Sequence, residues 1–282
     1  IDKDSYNIDP EQIQKKITKM TKAIIPVHFA GYPCNLERIY KIADKYGLRV
    51  IEDAAHALGS AIGGKKIGSF PGMACFSFYA TKNITTGEGG GVALQDIKLS
   101  RKIRMLRFHG INKDAWKRYA RGARWQYNIV EAGYKYNMTD VLAAIGIAQI
   151  NKIDKFLEIR QRIADRYESA LSDLPGFKTP DVGVNIKHSW HLYPCLIEKK
   201  EFGMARNDFI ISMDRRGIGT GVHYQSIPTH PYYAKTYGWK LRDYPNSKMI
   251  GEQTLSIPFS SKLNDRDIAD VIRAIRKILK ED

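Results

Sequence analysis

A single lysine, Lys82, lies between an apolar, β-prone run at residues 75–79 and a glycine-rich turn at residues 87–91. A lysine amine is an unfavourable group to bury, because its charge must be solvated or paired. If the amine lies in a partly dry pocket, desolvation lowers its pKa, and the neutral amine can attack a carbonyl to form a Schiff base. Taken by itself, the stretch also fits a strand-end lysine that reaches solvent. That ordinary interpretation is the default until other residues are considered.

Asp53 and His56 end another apolar run, in the segment Glu-Asp-Ala-Ala-His at residues 52–56. The small residues between them would let a flat ligand lie close to the backbone. The Asp53 carboxylate could pair with a protonated ring nitrogen, although an aspartate at such a position is also a common helix cap. His56 could contact the same ligand or be an ordinary packed histidine. Neither residue is decisive by itself.

The hydrophobic pattern of the first half of the chain predicts strands that alternate with helices. The predicted strands cover residues 23–29, 48–53, 73–78 and 91–94, and the predicted helices cover residues 10–20, 36–46 and 100–107. Continuous apolar strands separated by helices favour an α/β fold around a largely parallel sheet. Ligands of such sheets bind at the carboxyl ends of the strands, and both Asp53 and Lys82 fall at such ends.

The second half of the chain predicts a smaller α/β domain. Residues 110–136 are irregular and rich in Arg, Tyr and Trp, which is typical of a functional loop. One long amphipathic helix is expected from Thr139 to Leu171, long enough to connect two domains. Strands near 190–197 and 219–224, a helix near 206–216 and a final helix from Asn264 complete this half. We therefore expect a large domain at residues 1–155 and a small C-terminal domain at residues 156–282.

The composition predicts a globular protein without a transmembrane helix. Hydrophobic residues make up 43% of the 282 residues, and the apolar runs are short. The N-terminus lacks the shape of a signal peptide, and the three cysteines are too few and too far apart for a disulfide framework or a zinc ribbon. These features favour a cytoplasmic protein with no membrane partner and no bound metal.

The net charge of +15 reflects 45 basic and 30 acidic residues. The basic residues are densest between Arg101 and Arg124 but occur along the whole chain, and no nucleic-acid-binding motif accompanies them. A basic cleft that attracts small phosphorylated ligands explains the charge better than nucleic-acid binding does.

Several motifs that occur in order along the chain resemble the DegT/StrS-type sugar-nucleotide aminotransferases. They lie at residues 21–28, 52–56, 77–83, 87–90, 108–110, 134–140, 190–192 and 219–224. The resemblance therefore covers the chain from beginning to end. It implies the aspartate-aminotransferase-like architecture (fold type I), with a large domain around a mainly parallel sheet and a smaller C-terminal α/β domain. It also implies pyridoxal 5'-phosphate as the cofactor.

The resemblance implies a role for five residues at the cofactor. Lys82 matches the Schiff-base lysine, and Asp53 matches the acid that keeps the pyridine nitrogen protonated. His56 occupies a position near the cofactor ring and its 3-oxygen, and Ser77 matches a phosphate-binding hydroxyl. Asn137 matches a residue that reaches the cofactor phosphate of a neighbouring subunit, which implies a homodimer.

The implied reaction moves an amino group from an amino acid, with glutamate expected by family analogy, to a nucleotide-linked keto sugar. His223 and Tyr224 match a segment near the sugar. Segments at residues 27–31, 82–85, 114–116, 133–137 and 217–221 resemble the branch of UDP-linked 4-aminotransferases. That branch includes enzymes that make UDP-4-amino-4-deoxy-L-arabinose for lipid A modification.

Two other classes of protein are compatible with parts of the sequence, and one part of the family pattern has no counterpart in it. A sugar dehydratase of the same fold would have histidine at the position of Lys82. A regulatory or DNA-binding protein would show salt-sensitive DNA affinity and no cofactor absorbance. The family pattern also has a stretch before the residue that matches Ile1, with a phosphate-cradling turn and an aromatic side chain on the cofactor ring. We therefore expect the intact protein to be longer.

Overall fold

The computed structural model describes residues 1–112 and 127–279. The strands of this part are β1 (Ala23–Ile24), β2 (Arg49–Asp53), β3 (Ala61–Ile62), β4 (Lys65–Lys66), β5 (Met73–Ser77), β6 (Gly90–Leu94), β7 (Phe177–Lys178), β8 (Ile186–Lys187), β9 (Pro194–Ile197) and β10 (Thr254–Ser256). Its α-helices are α1 (Pro10–Lys16), α2 (Leu36–Tyr46), α3 (Ile97–Leu106), α4 (Asp140–Ile150), α5 (Ile153–Leu171), α6 (Lys199–Phe202), α7 (Arg206–Asp214), α8 (Pro231–Tyr237), α9 (Pro245–Gln253) and α10 (Asp265–Ile278).

The main sheet has the strand order β1-β2-β5-β6. Strands β1, β2 and β5 run parallel, and Asp53 at the end of β2 pairs with Cys75 on β5. This arrangement confirms the predicted α/β fold with a mainly parallel sheet. Strand β6 is antiparallel to β5, because the short return after Ser77 contains no crossover helix and a parallel connection needs one.

Helix α2 covers one face of this sheet and forms as the sequence predicts. The Asn35 side chain accepts a hydrogen bond from the Arg38 amide at its start, and Gly47 ends it in the left-handed conformation. Leu36 and Ile39 are fully buried in the hydrophobic core that α2 shares with the sheet.

Two N-terminal elements are shorter than predicted. Helix α1 ends at Lys16 rather than near Met20, and β1 ends at Ile24 rather than at Phe29. Pro26 explains the second difference, because proline has no amide hydrogen with which to continue the strand ladder. Val27 returns to the sheet only through a single bridge to Asp53.

The predicted helix from Thr139 to Leu171 is two helices. Thr139 caps α4, α4 ends before Asn151, and α5 begins after Lys152. The apolar pattern changes at this break: α4 is apolar on all sides, whereas α5 has a single buried face. A continuous helix would keep one face buried along its whole length, and these two segments do not share such a face.

The C-terminal half has its own antiparallel sheet, with the order β10-β9-β7. Helices α5, α7 and α10 pack around it in a second hydrophobic core. Asn264 and Asp267 form a capping box at the start of α10, as expected for the final helix. The strand predicted at 190–197 begins only at Pro194, and the one predicted at 219–224 is a single bridge between Gly221 and Ser256.

Within the described ranges, no helix is both long enough and apolar enough to cross a membrane. All three cysteines are free thiols. The motif at residues 114–116 and most of the predicted 110–136 loop lie outside the described residues.

Candidate active site

Lys82 and Asp53 lie at the carboxyl edge of the main sheet. Asp53 ends β2, where one carboxylate oxygen accepts a hydrogen bond from the Ala55 amide at 3.0 Å. Lys82 is held in a tight turn by the hydrogen bond from its own amide to the Tyr79 carbonyl, 3.0 Å long. Burial lowers the pKa of the Lys82 amine from its ordinary value of 10.5, while the negative charge of Asp53 acts in the opposite direction. The amine is therefore less often protonated than a lysine in solvent.

The Lys82 amine is half-buried, and no hydrogen bond or ion pair engages it within residues 1–112 and 127–279. A half-buried amine without a protein partner is partly desolvated, which is typical of a residue that acts on a ligand. The partial burial and lowered pKa of the Lys82 amine favour a residue that acts on a ligand over a strand-end lysine that only reaches solvent.

His56 lies beside Lys82 as a neutral imidazole. Burial lowers its pKa to about 3, and the neighbouring Lys82 and His223 add to the effect. The Ala30 amide donates a hydrogen bond to His56 Nδ1 at 3.2 Å, so the ring proton is on Nε2. His56 therefore offers one hydrogen-bond donor and no charge.

His223 and Tyr224 line the other side of this site. Burial, with a smaller effect of Lys82, lowers the pKa of His223, whose Nδ1 lies 2.9 Å from the Ser256 hydroxyl. Burial and the charge of Asp53 raise the pKa of Tyr224. The Phe29 ring lies between the two sides, with its centroid 6.5 Å from that of His56 and 6.2 Å from that of Tyr224. A cavity of about 140 Å³ opens beside His223, Tyr224 and Phe29.

Ser77 and Asn137 complete the predicted set. Ser77 ends β5, the strand beside Asp53, and its hydroxyl accepts a hydrogen bond from the Tyr79 amide at 3.2 Å. Asn137 is different: among the described residues its buried side-chain oxygen has no hydrogen-bond partner, and its amide nitrogen donates to the Met138 carbonyl at 3.4 Å. In the described part of the chain, no hydrogen bond connects Asn137 to the other predicted residues. The chain therefore places Asp53, His56, Ser77 and Lys82 at one sheet edge, with His223 and Tyr224 on the other side of the site.

Three buried polar residues next to this site had no role in the sequence prediction. Asn83 follows Lys82 directly, and Ser189 and His191 come from the C-terminal half. Asn83 donates to the Ser189 carbonyl at 2.8 Å, and the His191 ring faces that of His56 at 4.3 Å between centroids. Asn83 and His191 both lie in segments that resemble the family, at residues 77–83 and 190–192. Their position in these segments could have identified them as candidates.

The chain belongs to the DegT/DnrJ/EryC1/StrS aminotransferase family, whose sequence pattern matches residues 1–276. Members of this family are sugar aminotransferases that use pyridoxal phosphate (PLP). The protein is thus a PLP-dependent sugar aminotransferase, which acts on a sugar and an amino donor. This membership agrees with the resemblance found in the motifs.

Individual relatives agree with the family assignment. The chain is 49% identical over 281 residues to an uncharacterized Methanocaldococcus jannaschii protein, covering 100% of this chain and 73% of the relative. It is 42% identical to the Bacillus subtilis spore coat polysaccharide biosynthesis protein SpsC, covering 99% and 72% of the two chains. Among solved structures, Helicobacter pylori PseC, an aminotransferase of pseudoaminic acid biosynthesis, matches with a TM-score of 0.89, 29% identity, and coverage of 98% and 71%.

The chemistry of the described donor set fits PLP. An unpartnered, half-buried amine at Lys82 suits attachment to an aldehyde, and the Asp53 carboxylate suits a protonated ring nitrogen. The Nε2–H of His56 can donate to the 3-oxygen attached to the cofactor ring, and the Ser77 hydroxyl can contact a phosphate. These four residues lie on two adjacent strands and the turns that follow them.

We expect the free energy of unfolding to fall as the pH is lowered from about 6.5 towards 3. Burial lowers the pKa of His56 and His188 to about 3 and that of His191 to about 2, whereas in the unfolded chain each returns to about 6.5. The unfolded state thus binds more protons in this range. Each histidine therefore contributes stability that is complete above about pH 6.5 and is lost at about 1.4 kcal/mol per pH unit below it.

Urea unfolding between pH 5 and pH 7.5 measures this effect. His191→Asn should reduce the dependence on pH by the contribution of one proton, while His230→Asn, at an exposed position, should not change it. Equal slopes for the wild type and His191→Asn would contradict the assigned neutral state of His191.

Proposed function

We propose that this protein transfers an amino group from L-glutamate to a nucleotide-linked keto sugar, with a UDP-linked 4-keto sugar as the expected acceptor. The placement of the Lys82 amine beside the Asp53 carboxylate at one sheet edge is the observation that carries the proposal. The product would be an amino sugar for cell-surface polysaccharide or lipid A. The names of SpsC and PseC, which refer to polysaccharide and pseudoaminic acid biosynthesis, support this direction.

Lys82 is the residue that holds the cofactor and moves the proton in this proposal. When bound, PLP supplies an electron sink for the negative charge that develops on the substrate carbon. Lys82 Nζ takes the proton from the amine-bearing carbon of the donor and later returns a proton to the sugar carbon that becomes aminated. The lowered pKa of Lys82 favours the neutral form that can accept this proton.

The surrounding residues orient the reactants and set the charge. Asp53 would supply the negative charge that pairs with the ring nitrogen of the cofactor. His56 donates from Nε2 without adding a positive charge beside Lys82. Ser77 would contact the phosphate, and His223 and Tyr224 would contact the sugar beside the 140 Å³ cavity. The net charge of +15 favours a substrate with a diphosphate group.

We also propose the division into a large domain at residues 1–155 and a small domain at residues 156–282. The two hydrophobic cores support it, because one draws on residues 13–74 and the other on residues 163–278. The site would then lie between the domains, since His223 comes from the second and Lys82 from the first.

We also propose that the protein is a homodimer, in which Asn137 reaches the site of the partner subunit. Helix α4 supports it, because none of its residues is buried, and Val141 and Ile147 are 72% and 65% exposed. A helix that is apolar on all sides is normally covered by protein. The unpaired oxygen of Asn137, just before α4, would find its partner there.

Replacing Ile147 with glutamate should weaken self-association by at least about 10-fold, because a charge would then have to be desolvated in the interface. Sedimentation over a range of protein concentrations measures the change. Val184→Glu is the matched control, since Val184 is 91% exposed but lies outside α4. A wild-type chain that sediments as a monomer at micromolar concentration would refute the dimer.

The substrate is tested with a panel of UDP-, dTDP- and GDP-linked keto sugars and glutamate as the donor. We expect turnover with a UDP-linked 4-keto sugar and release of 2-oxoglutarate. Turnover restricted to a dTDP- or GDP-linked sugar would keep the aminotransferase assignment and overturn the proposed branch.

A further inference from the structure

Asn83 connects the turn that carries Lys82 to the C-terminal half of the chain. Its side chain is only 7% exposed, and its amide nitrogen donates to the Ser189 carbonyl at 2.8 Å. This bond directs the amide oxygen of Asn83 towards His191, 3.3 Å from Nδ1. Because that oxygen can only accept, the His191 proton is on Nδ1. Asn83 is therefore held at both ends of its amide group.

His56 is held by the same short segment. The His191 ring lies against the His56 ring, with centroids 4.3 Å apart and a tilt of 40°. The His191 amide donates to the Ala30 carbonyl at 2.8 Å, and the Ala30 amide in turn donates to His56 Nδ1. The Ser189 hydroxyl donates to the His56 carbonyl at 2.7 Å. Residues 189–191 thus fix both the ring and the backbone of His56.

The segment itself is rigidly supported. Trp190 has a φ of 49°, which is unusual for a bulky residue, and the buried guanidinium of Arg160 donates to its carbonyl at 2.7 Å. Gly31 has a φ of 100°, and any side chain there would meet the Ser189 hydroxyl. Because residues 189–191 are held in place, they can fix the relative positions of the site residues that contact them.

We propose that Asn83, Ser189 and His191 form a clamp that sets the position of Lys82 relative to His56. One arm runs from Ser189 and His191 through Asn83 to Lys82. The other arm runs from Ser189 and His191 through Ala30 and the stacked rings to His56. These three are positioning residues, and none of them needs to touch the substrate. The effect of the clamp on amino transfer rests on the roles proposed above for Lys82 and His56. Its effect on the positions of these two residues does not depend on which sugar is the substrate.

Two substitutions of His191 separate the two arms. His191→Phe keeps a flat ring against His56 but removes the donor to Asn83. His191→Asn keeps a donor at the position of Nδ1 but removes the ring. We therefore expect His191→Phe to disturb Lys82 and spare His56, and His191→Asn to disturb His56 and spare Lys82. A purely structural contribution to stability would affect both residues together.

Both readouts use the full chain, first without the cofactor and then with it. Nuclear magnetic resonance of ¹⁵N-labelled histidine reports which nitrogen of His56 carries the proton. The rate at which acetic anhydride modifies Lys82 at each pH, followed by peptide mass spectrometry, reports the pKa of its amine, with exposed Lys66 as the internal reference. In His191→Phe, the pKa of Lys82 should rise towards 10.5, because a looser turn admits water to the amine.

Asn83→Asp provides a second test, because it places a negative charge beside His191. In the described part of the chain, the titratable groups that act on His191 are His56, Lys82, Arg160 and His223, and each of them lowers its pKa. A carboxylate in contact with Nδ1 should cause His191 to titrate between about pH 5 and pH 8. The same substitution removes the donor to Ser189, so kcat should fall by about 10²-fold with little change in KM.

The proposal is overturned if the two His191 variants change both readouts together, or if both variants leave Lys82 and His56 as in the wild type. It is also overturned if Asn83→Asp introduces no new titration. Failure of every sugar to react would remove the proposed function but would leave these cofactor-free measurements, and the clamp, unaffected.

Discussion

Lys82→Ala should lower the rate of amino transfer by at least about 10³-fold, while the chain remains folded. The variant lacks the only amine that the described site offers for both holding the cofactor and moving the proton. Two measurements check this: the rate of the half-reaction with glutamate, and the mass of the Lys82 peptide after borohydride treatment. The wild-type peptide should gain the reduced cofactor, and the protein should show a visible absorption band that the variant lacks.

Lys66→Ala is the matched control, because Lys66 is exposed on β4 and no role in the site is assigned to it. It should keep the wild-type rate and absorption band. A borohydride label on a different lysine, or a Lys82→Ala rate within about tenfold of the wild type, would show that Lys82 does not have the proposed role. A wild-type chain that stays colourless with added PLP would lead to the same conclusion.

Asp53→Asn should lower turnover by about 10²- to 10³-fold, because it removes the charge that holds a proton on the cofactor ring nitrogen. The asparagine oxygen can still accept from the Ala55 amide, so the local turn should persist. The substitution should also lower the pKa of Lys82 further, since the charge of Asp53 raises it in the wild type. Steady-state kinetics and the pH dependence of Lys82 acylation measure the two effects separately.

Asp44→Asn, at an exposed position on α2, should change neither quantity. Wild-type turnover in Asp53→Asn would refute the assignment of Asp53 as the partner of the ring nitrogen. A rise in the pKa of Lys82 would contradict the direction assigned to the charge interaction with Asp53. If Asp53→Asn weakens cofactor binding, saturation with PLP separates loss of binding from loss of turnover.

The elements that the sequence predicts well are those with strong local signals. Asn35 and Gly47 define the two ends of α2, and Asn264 defines the start of α10, because caps act on the backbone within one turn. The predicted strand at 48–53 agrees with β2 within one residue, since β-branched residues such as Val50 and Ile51 favour a strand locally.

The elements predicted poorly depend on contacts far away in the chain. The apolar residues of α4 and α5 suggest one helix, and only packing shows that α5 buries a single face while α4 buries none of its residues. The segment at 219–224 has a strand-like composition, but it meets the second sheet only through Gly221 and Ser256. Periodicity cannot predict whether a strand finds a partner.

The sequence by itself determined the fold class, the family and the identity of the candidate residues. Lys82, Asp53, His56 and Ser77 each stand in a local motif whose residue types and order already indicate the chemistry. Only the tertiary structure decided that the Lys82 amine has a lowered pKa and that His56 is neutral with its proton on Nε2. It also decided that Asn83 and His191 meet, although they are 108 positions apart. The physical reason is that burial and hydrogen bonding come from residues distant in the chain, which no local pattern encodes.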